Sequence, residues 1–180
     1  MTWSRVARRI RVPLGFLLAI VFIWLAHPTW ASIAIGAVVA FSGVAVRAAA
    51  SGHVRKNQEL TKTGPYGHTR NPLYLGSIVI AAGFAIAALS AWLVVIMVLM
   101  FVAIYVPVIR SEEAFLRAAF SDFEDYCSRV PRIVPRFSRA YQGTGTFSSE
   151  LYLKHREYNA LVGTAAMLAA LAIKLWRFHS

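Results

Sequence analysis

Two long stretches without a charged side chain organise this chain: residues 12–46, 35 in all, and residues 71–109, 39 in all. As one helix, each would run roughly 50–60 Å at 1.5 Å per residue, against a hydrocarbon core about 30 Å thick. Each must therefore fold back on itself. Proline disfavours helix for the residue before it, so His27-Pro28-Thr29 is a corner that predicts helices over 12–26 and 30–46. Leu89-Ser90-Ala91 is a weaker corner and predicts helices over 73–89 and 91–109. A fifth apolar run, 159–173, covers only about 22 Å as a helix. Its expected span needs the Lys174 head group to snorkel to an interface marked by Trp176 and Phe178. The pattern thus predicts an all-α fold, a polytopic membrane helix bundle of about five transmembrane helices. It reads as a single integral-membrane domain over 1–180. Residues 1–52 form an N-terminal helical hairpin, 53–136 carry the polar motifs, and 137–180 hold the last membrane helix.

Composition narrows the class. The chain is 58% hydrophobic and 15% charged, whereas soluble domains hold about 45–50% apolar and about 25% charged residues. That excludes a water-soluble single domain, and 13% aromatic residues exclude a disordered chain. The first run follows Arg5, Arg8, Arg9 and Arg11, as a signal peptide would. No small-residue cleavage site precedes His27-Pro28, however, and apolar character resumes at once, so a membrane hairpin is expected. The lone cysteine, Cys127, allows neither an intrachain disulfide nor a multi-cysteine site, and no metal is expected.

Placement explains the net charge of +11. Seventeen of the 19 basic residues fall in 1–11, 47–70 and 110–156, which five crossings put on one side. Only Lys174 and Arg177 fall on the other. The positive-inside rule makes the first side cytoplasmic and the carboxyl terminus external. All eight acidic residues share the cytoplasmic side, so the polar chemistry is expected there. The basic excess needs no nucleic-acid partner.

Two polar segments carry the candidate chemistry. In 55–76, Gly64-Pro65 and Asn71-Pro72 are turn dipeptides, with Asn71 predicted to cap a helix whose first residue is Pro72. The free N–H groups and positive dipole end of such a start suit a carboxylate or phosphate. In 110–136, Glu112 and Glu113 directly follow the longer uncharged run, at a membrane face where ionisable groups are costly and usually functional. Phe115, Leu116, Ala119, Phe120, Phe123, Tyr126 and Cys127 recur at helical spacing, predicting an amphipathic helix with Cys127 in its apolar stripe.

The ordered set Gly64-Pro65-Tyr66, Arg70-Asn71-Pro72-Leu73-Tyr74, Glu112-Glu113, Phe120, Tyr126, Val130-Pro131-Arg132 and Pro135 resembles a known pattern. It is similar to the isoprenylcysteine carboxyl methyltransferase and phospholipid N-methyltransferase superfamily of integral-membrane enzymes. The order and spacing follow its Arg-His-Pro-x-Tyr and Glu-Glu signatures over roughly 53–136, with Asn71 where the common pattern has His. An Asn amide can still cap a helix or donate a hydrogen bond.

The resemblance implies methyl transfer from S-adenosylmethionine to a lipophilic acceptor. It implies a cofactor site drawn from Tyr66, Arg70, Asn71, Pro72, Tyr74, Glu112 and Glu113, with Arg70, Glu112 and Glu113 as the catalytic candidates. Arg70 or the helix start would hold the donor's carboxylate, either glutamate its ribose hydroxyls or amino group, and the Tyr74 ring its sulfonium. Arg55, Lys56, Arg132 and Arg136 are candidates for a cationic rim around an anionic head group, which favours an isoprenylcysteine-type carboxylate. A phospholipid amine is the alternative acceptor, with Glu112 or Glu113 as its base. A sterol-reductase-like enzyme using a nicotinamide dinucleotide is a second alternative, with Arg55, Lys56 and Arg136 on the phosphates, although no Gly-x-Gly-x-x-Gly is present. A non-enzymatic scaffold or ion-conducting bundle would expect charges inside the spans, where there are none.

Overall fold

The computed structural model describes residues 15–55, 58–138, 140–141 and 145–179. Among these residues every regular element is helical. The helices are α1 (Gly15–Leu25), α2 (Trp30–Ser51), α3 (Pro72–Ala88), α4 (Ala91–Ala119), α5 (Phe123–Arg129), α6 (Ser149–Lys154) and α7 (Tyr158–His179). A 3₁₀ turn, Gly64–Gly67, precedes α3. Three of them, α2, α4 and α7, are long and apolar enough to cross a membrane, while α1 and α3 are shorter apolar helices. The chain is therefore an integral-membrane helix bundle, and the five apolar runs are all helical within the described residues.

Both expected corners are present and are tied together. Thr29 and Ser32 form a reciprocal cap on α2, the Ser32 N–H reaching Thr29 Oγ1 at 3.1 Å and the Thr29 N–H reaching Ser32 Oγ at 2.9 Å. Ser32 Oγ also donates to the Ala87 carbonyl at 3.0 Å, and the His27 N–H to the Ala88 carbonyl at 2.8 Å. Leu89 ends α3 in the left-handed conformation at φ 49°, and Ser90 starts α4.

Glycine brings α2 against α3. A Cβ on Gly36 would lie 2.5 Å from the Gly83 carbonyl oxygen, and one on Gly43 would lie 2.7 Å from that of Gly76. Only backbones without side chains approach this closely, the usual packing device between membrane helices. The closed end is completed by Leu168 and Leu171 of α7, buried with Phe22, Ala26, Ala88 and Leu93. Lys174 is held at the end of α1. Its ammonium donates to the carbonyls of Ile23, Trp24 and Ala26 at 2.7, 3.2 and 2.6 Å, a cationic cap on the unpaired end of α1.

The helix expected over 91–109 continues ten residues further, to Ala119, and the amphipathic segment after it is split. No residue in 110–119 breaks a helix. Pro107, which lacks an N–H and crowds the carbonyl four residues back, follows a π-helical turn at Phe101–Tyr105 closed by the Val106 N–H on the Phe101 carbonyl. The break falls at Phe120-Ser121-Asp122, where short polar side chains compete with the helix and Asp122 pairs with Lys62 at 2.6 Å. Beyond it, Phe123, Tyr126 and Val130 are buried, with Leu116, Phe120 and Cys127 packed against them, while Phe115 and Ala119 stay exposed, so the expected apolar stripe is core only in its second half.

Candidate functional site

At the other end of α2 and α3 lies a cavity of about 770 Å³. The start of α3 supplies Asn71, Pro72 and Tyr74, with Arg70 just before it. The opposing face of α4 supplies Tyr105, Val108, Glu112, Phe115 and Leu116. Tyr66 of the 3₁₀ turn, Arg47 of α2, Tyr126 of α5, Glu59 and Glu157 complete its polar surroundings. Six of the seven cofactor-site candidates thus converge on one cavity, although Tyr66 and Glu112 are separated by 46 positions in the sequence.

The seventh, Glu113, stands behind the wall. It is 4% exposed and receives Arg132 Nη2 at 2.7 Å, Arg132 Nε at 3.0 Å and Asn71 Nδ2 at 3.2 Å, with Arg70 Nη1 at 3.7 Å. Asn71 does occupy the cap position of α3 with Pro72 first in the helix, yet its side chain does not cap. The amide instead donates to Glu113 and to the Arg132 carbonyl at 3.1 Å. Glu113 is therefore a junction of α4, the start of α3 and the 131–132 strand of chain. Glu112, about 100° away around the helix, lines the cavity and accepts the Tyr74 hydroxyl at 3.0 Å. No Lys or Arg among the described residues pairs with Glu112.

Arg70 lies between these groups. Its Nη1 is in contact with Cys127 Sγ and its Nε is buried without a hydrogen-bond partner. Such orphaned donors are uncommon in folded interiors and call for an explanation. The Tyr126 hydroxyl donates to the Tyr66 carbonyl at 2.8 Å. Burial pushes both phenols above their ordinary range, so they stay protonated donors and apolar walls and do not act as bases.

The three rim candidates within the described residues each have another partner. Arg55 pairs with Glu59 at 3.8 Å on the surface, Arg132 is committed to Glu113, and Arg136 donates to the Arg129 carbonyl at 2.6 Å. None of these three lines the cavity. Lys56 lies outside the described residues.

Two residues escaped notice in the sequence. Arg47 and Glu157 both line the cavity and pair with each other at 2.7 Å. The signal that marked Glu112 and Glu113, a charge at the edge of an uncharged run, marks them equally: Arg47 closes the first run and Glu157 precedes the last. Tyr105 offered no comparable signal.

In this arrangement of apolar helices the paired motifs meet over one half-polar cavity. The chain belongs to the phospholipid methyltransferase family, whose profile matches residues 10–122. Its similar curated proteins include the nickel-cobalt-cadmium resistance protein NccN of Alcaligenes xylosoxydans xylosoxydans. The identity is 42% over 84 residues, 47% of this chain and 39% of NccN. The cobalt-zinc-cadmium resistance protein CzcN of Cupriavidus metallidurans is 36% identical over 94 residues, 52% of this chain and 43% of CzcN. The chain thus spans roughly two fifths of the length of these relatives. No solved structure matches it significantly. The relatives' names speak of metal resistance, but among the described residues no group of three or more His, Cys, Asp or Glu is placed to hold a metal ion.

Proposed function

We propose that the cavity transfers a methyl group from S-adenosylmethionine to a lipophilic amine. The reading rests on one observation: Arg70, Asn71, Tyr74 and Glu112, from the two signatures of the family, surround a single cavity. Its volume of about 770 Å³ lies within the usual span of small-molecule sites. The residues fit the donor's chemistry. Arg70 offers a guanidinium with an unsatisfied Nε–H, suited to a carboxylate. Glu112, without a cationic partner among the described residues, can accept from an ammonium or from ribose hydroxyls. The rings of Tyr74 and Tyr105, packed edge to face at 5.8 Å, present aromatic surface to a sulfonium. When bound, the donor supplies an electrophilic methyl group, and the protein's main task is to align the acceptor with it and to keep water out.

Charge balance favours the amine over the isoprenylcysteine-type carboxylate that the sequence pattern favours. Of the two arginines of the cavity, Arg47 is engaged with Glu157 and Arg70 is taken up by the donor's carboxylate in this reading, and the described rim arginines lie elsewhere. A carboxylate head group would find no spare cation on the described lining. An ammonium would find Glu112, which can take its proton before attack. Phe115 both lines the cavity and is exposed on α4, offering an apolar edge to a lipid chain. The dinucleotide alternative is less favoured, since two of its three candidate anchors, Arg55 and Arg136, stand outside the cavity. Charge placement puts the cavity and amino terminus on the cytoplasmic side.

Labelled donor supplied with phosphatidylethanolamine and, in parallel, with a prenylcysteine analogue from pH 6 to 9 tests the reading. Product on the amine, rising with pH as its proton is lost, is expected. Product on the carboxylate alone, at a nearly flat rate, overturns the acceptor assignment.

A further inference from the structure

Glu157 lies outside the family-matched residues, immediately before α7, yet it lines the cavity. Its carboxylate takes Arg47 Nε at 3.0 Å and Nη2 at 2.7 and 2.9 Å. Arg47 Nη1 donates to the Leu73 carbonyl at 3.2 Å and to Ser77 Oγ at 2.6 Å. A guanidinium has five N–H donors, and these contacts engage all three of its nitrogens, so Arg47 is a structural hub and not a spare ligand cation. Its stem crosses α3 at Gly76, where a Cβ would lie 2.5 Å from Arg47 Cγ. The carbonyl it grips belongs to the first turn of α3, next to Tyr74, whose hydroxyl reaches Glu112.

We propose that Glu157 is a positioning residue of the methyl-transfer cavity. Acting through Arg47, it fixes the first turn of α3 and with it the Tyr74–Glu112 pair, so the C-terminal helix is part of the site. The proposal rests on the methyl-donor reading for its binding readout only. The pair is largely buried, with side chains 22% and 12% exposed, and is therefore weakly screened by solvent. A pair that merely fastened α7 to α2 would set stability and leave ligand affinity alone.

The full chain in detergent is compared as the unaltered protein, Glu157→Gln and Lys174→Met. Lys174 caps α1 at the opposite end of the bundle and serves as a stability control. Calorimetry with S-adenosylmethionine, thermal unfolding and amide hydrogen exchange at residues 74–77 are read for each. Glu157→Gln is expected to weaken binding about tenfold, the loss of one charge-assisted contact's worth of order, and to speed exchange in the first turn of α3. Lys174→Met is expected to lower the unfolding temperature with affinity and that exchange unchanged. Unchanged affinity and exchange in Glu157→Gln overturn the proposal. If Glu157→Gln does not fold, Glu157→Asp keeps the charge, shortens its reach and is judged by the same readouts. No binding by the unaltered protein would overturn the donor reading instead, and the exchange at residues 74–77 then decides the role of Glu157 alone.

Discussion

The two ends of the bundle handle polar groups in opposite ways. At the end holding residues 26–29 and 88–90, each polar group described above has a local partner: Lys174 on the carbonyls of α1, Ser32 on Thr29 and Ala87, His27 on Ala88. That end is closed. At the cavity end, Glu113 and Glu157 are saturated, while Arg70 keeps an orphaned Nε–H and the exposed Glu112 pairs with no Lys or Arg among the described residues. Buried polar groups left unsatisfied cost stability, so the orphaned Arg70 Nε–H at the cavity end supports the proposal that a ligand binds there. Adjacent glutamates divide along the same line, Glu113 holding the fold and Glu112 facing the cavity.

Separating those two glutamates gives the largest expected effect. Glu113→Gln leaves Arg70 and Arg132 without their shared carboxylate, and breaking a buried pair typically costs about 3–5 kcal/mol. Thermal unfolding should show a drop of many degrees. Glu112→Gln should instead unfold near the unaltered temperature while methyl transfer falls. Equal stability losses in the two variants would remove the distinction.

Next comes Arg70→Ala. A lost charge-assisted hydrogen bond to a ligand costs about 1.5–3 kcal/mol, a tenfold to hundredfold loss of donor affinity by calorimetry. Unchanged affinity in a folded variant would return Arg70 to a packing role beside Cys127. At the closed end, Lys174→Met removes a helix-terminal cation, worth up to about 2 kcal/mol when partly buried, and should lower the unfolding temperature without touching donor affinity. A loss of affinity there would show that the two ends are coupled.

The smallest effect is a pH dependence outside the membrane. Lys62 holds the Asp122 carboxyl below the usual carboxylate range, and Tyr141 and Arg129 do the same for Asp125. For groups depressed on folding, the stabilisation is complete above the ordinary carboxylate pKa and is lost as pH falls through the depressed folded value. Unfolding temperatures followed downward from pH 5 should therefore decline, less so in Asp122→Asn and less so at high salt, because both groups are exposed.

What could be read from the sequence follows the reach of each signal. Pro28 and Ser90 act on their own neighbours, so both corners were legible. Convergence of Arg70, Tyr74 and Glu112 was legible through the paired motifs. The end of α4 was not, because loss of hydrophobicity at Arg110 does not break a helix when Glu113 finds Arg132 and Asn71. Nor was the division between Glu112 and Glu113, which depends on the phase of one helix after a π-helical turn. Arg55, Arg132 and Arg136 looked like a rim because charge is visible in a sequence and the partner that consumes it is not. The partners of Lys174 were hidden for the same reason, since the carbonyls it caps lie about 150 positions away.

The central claim is that the cavity end is completed by a methyl donor. Native mass spectrometry of the detergent-purified chain, with S-adenosylmethionine and a nicotinamide dinucleotide offered together, tests it most directly. The account predicts a one-to-one adduct with S-adenosylmethionine that disappears in Arg70→Ala and persists in Lys174→Met. An adduct with the dinucleotide alone, or a donor adduct indifferent to Arg70, would contradict it.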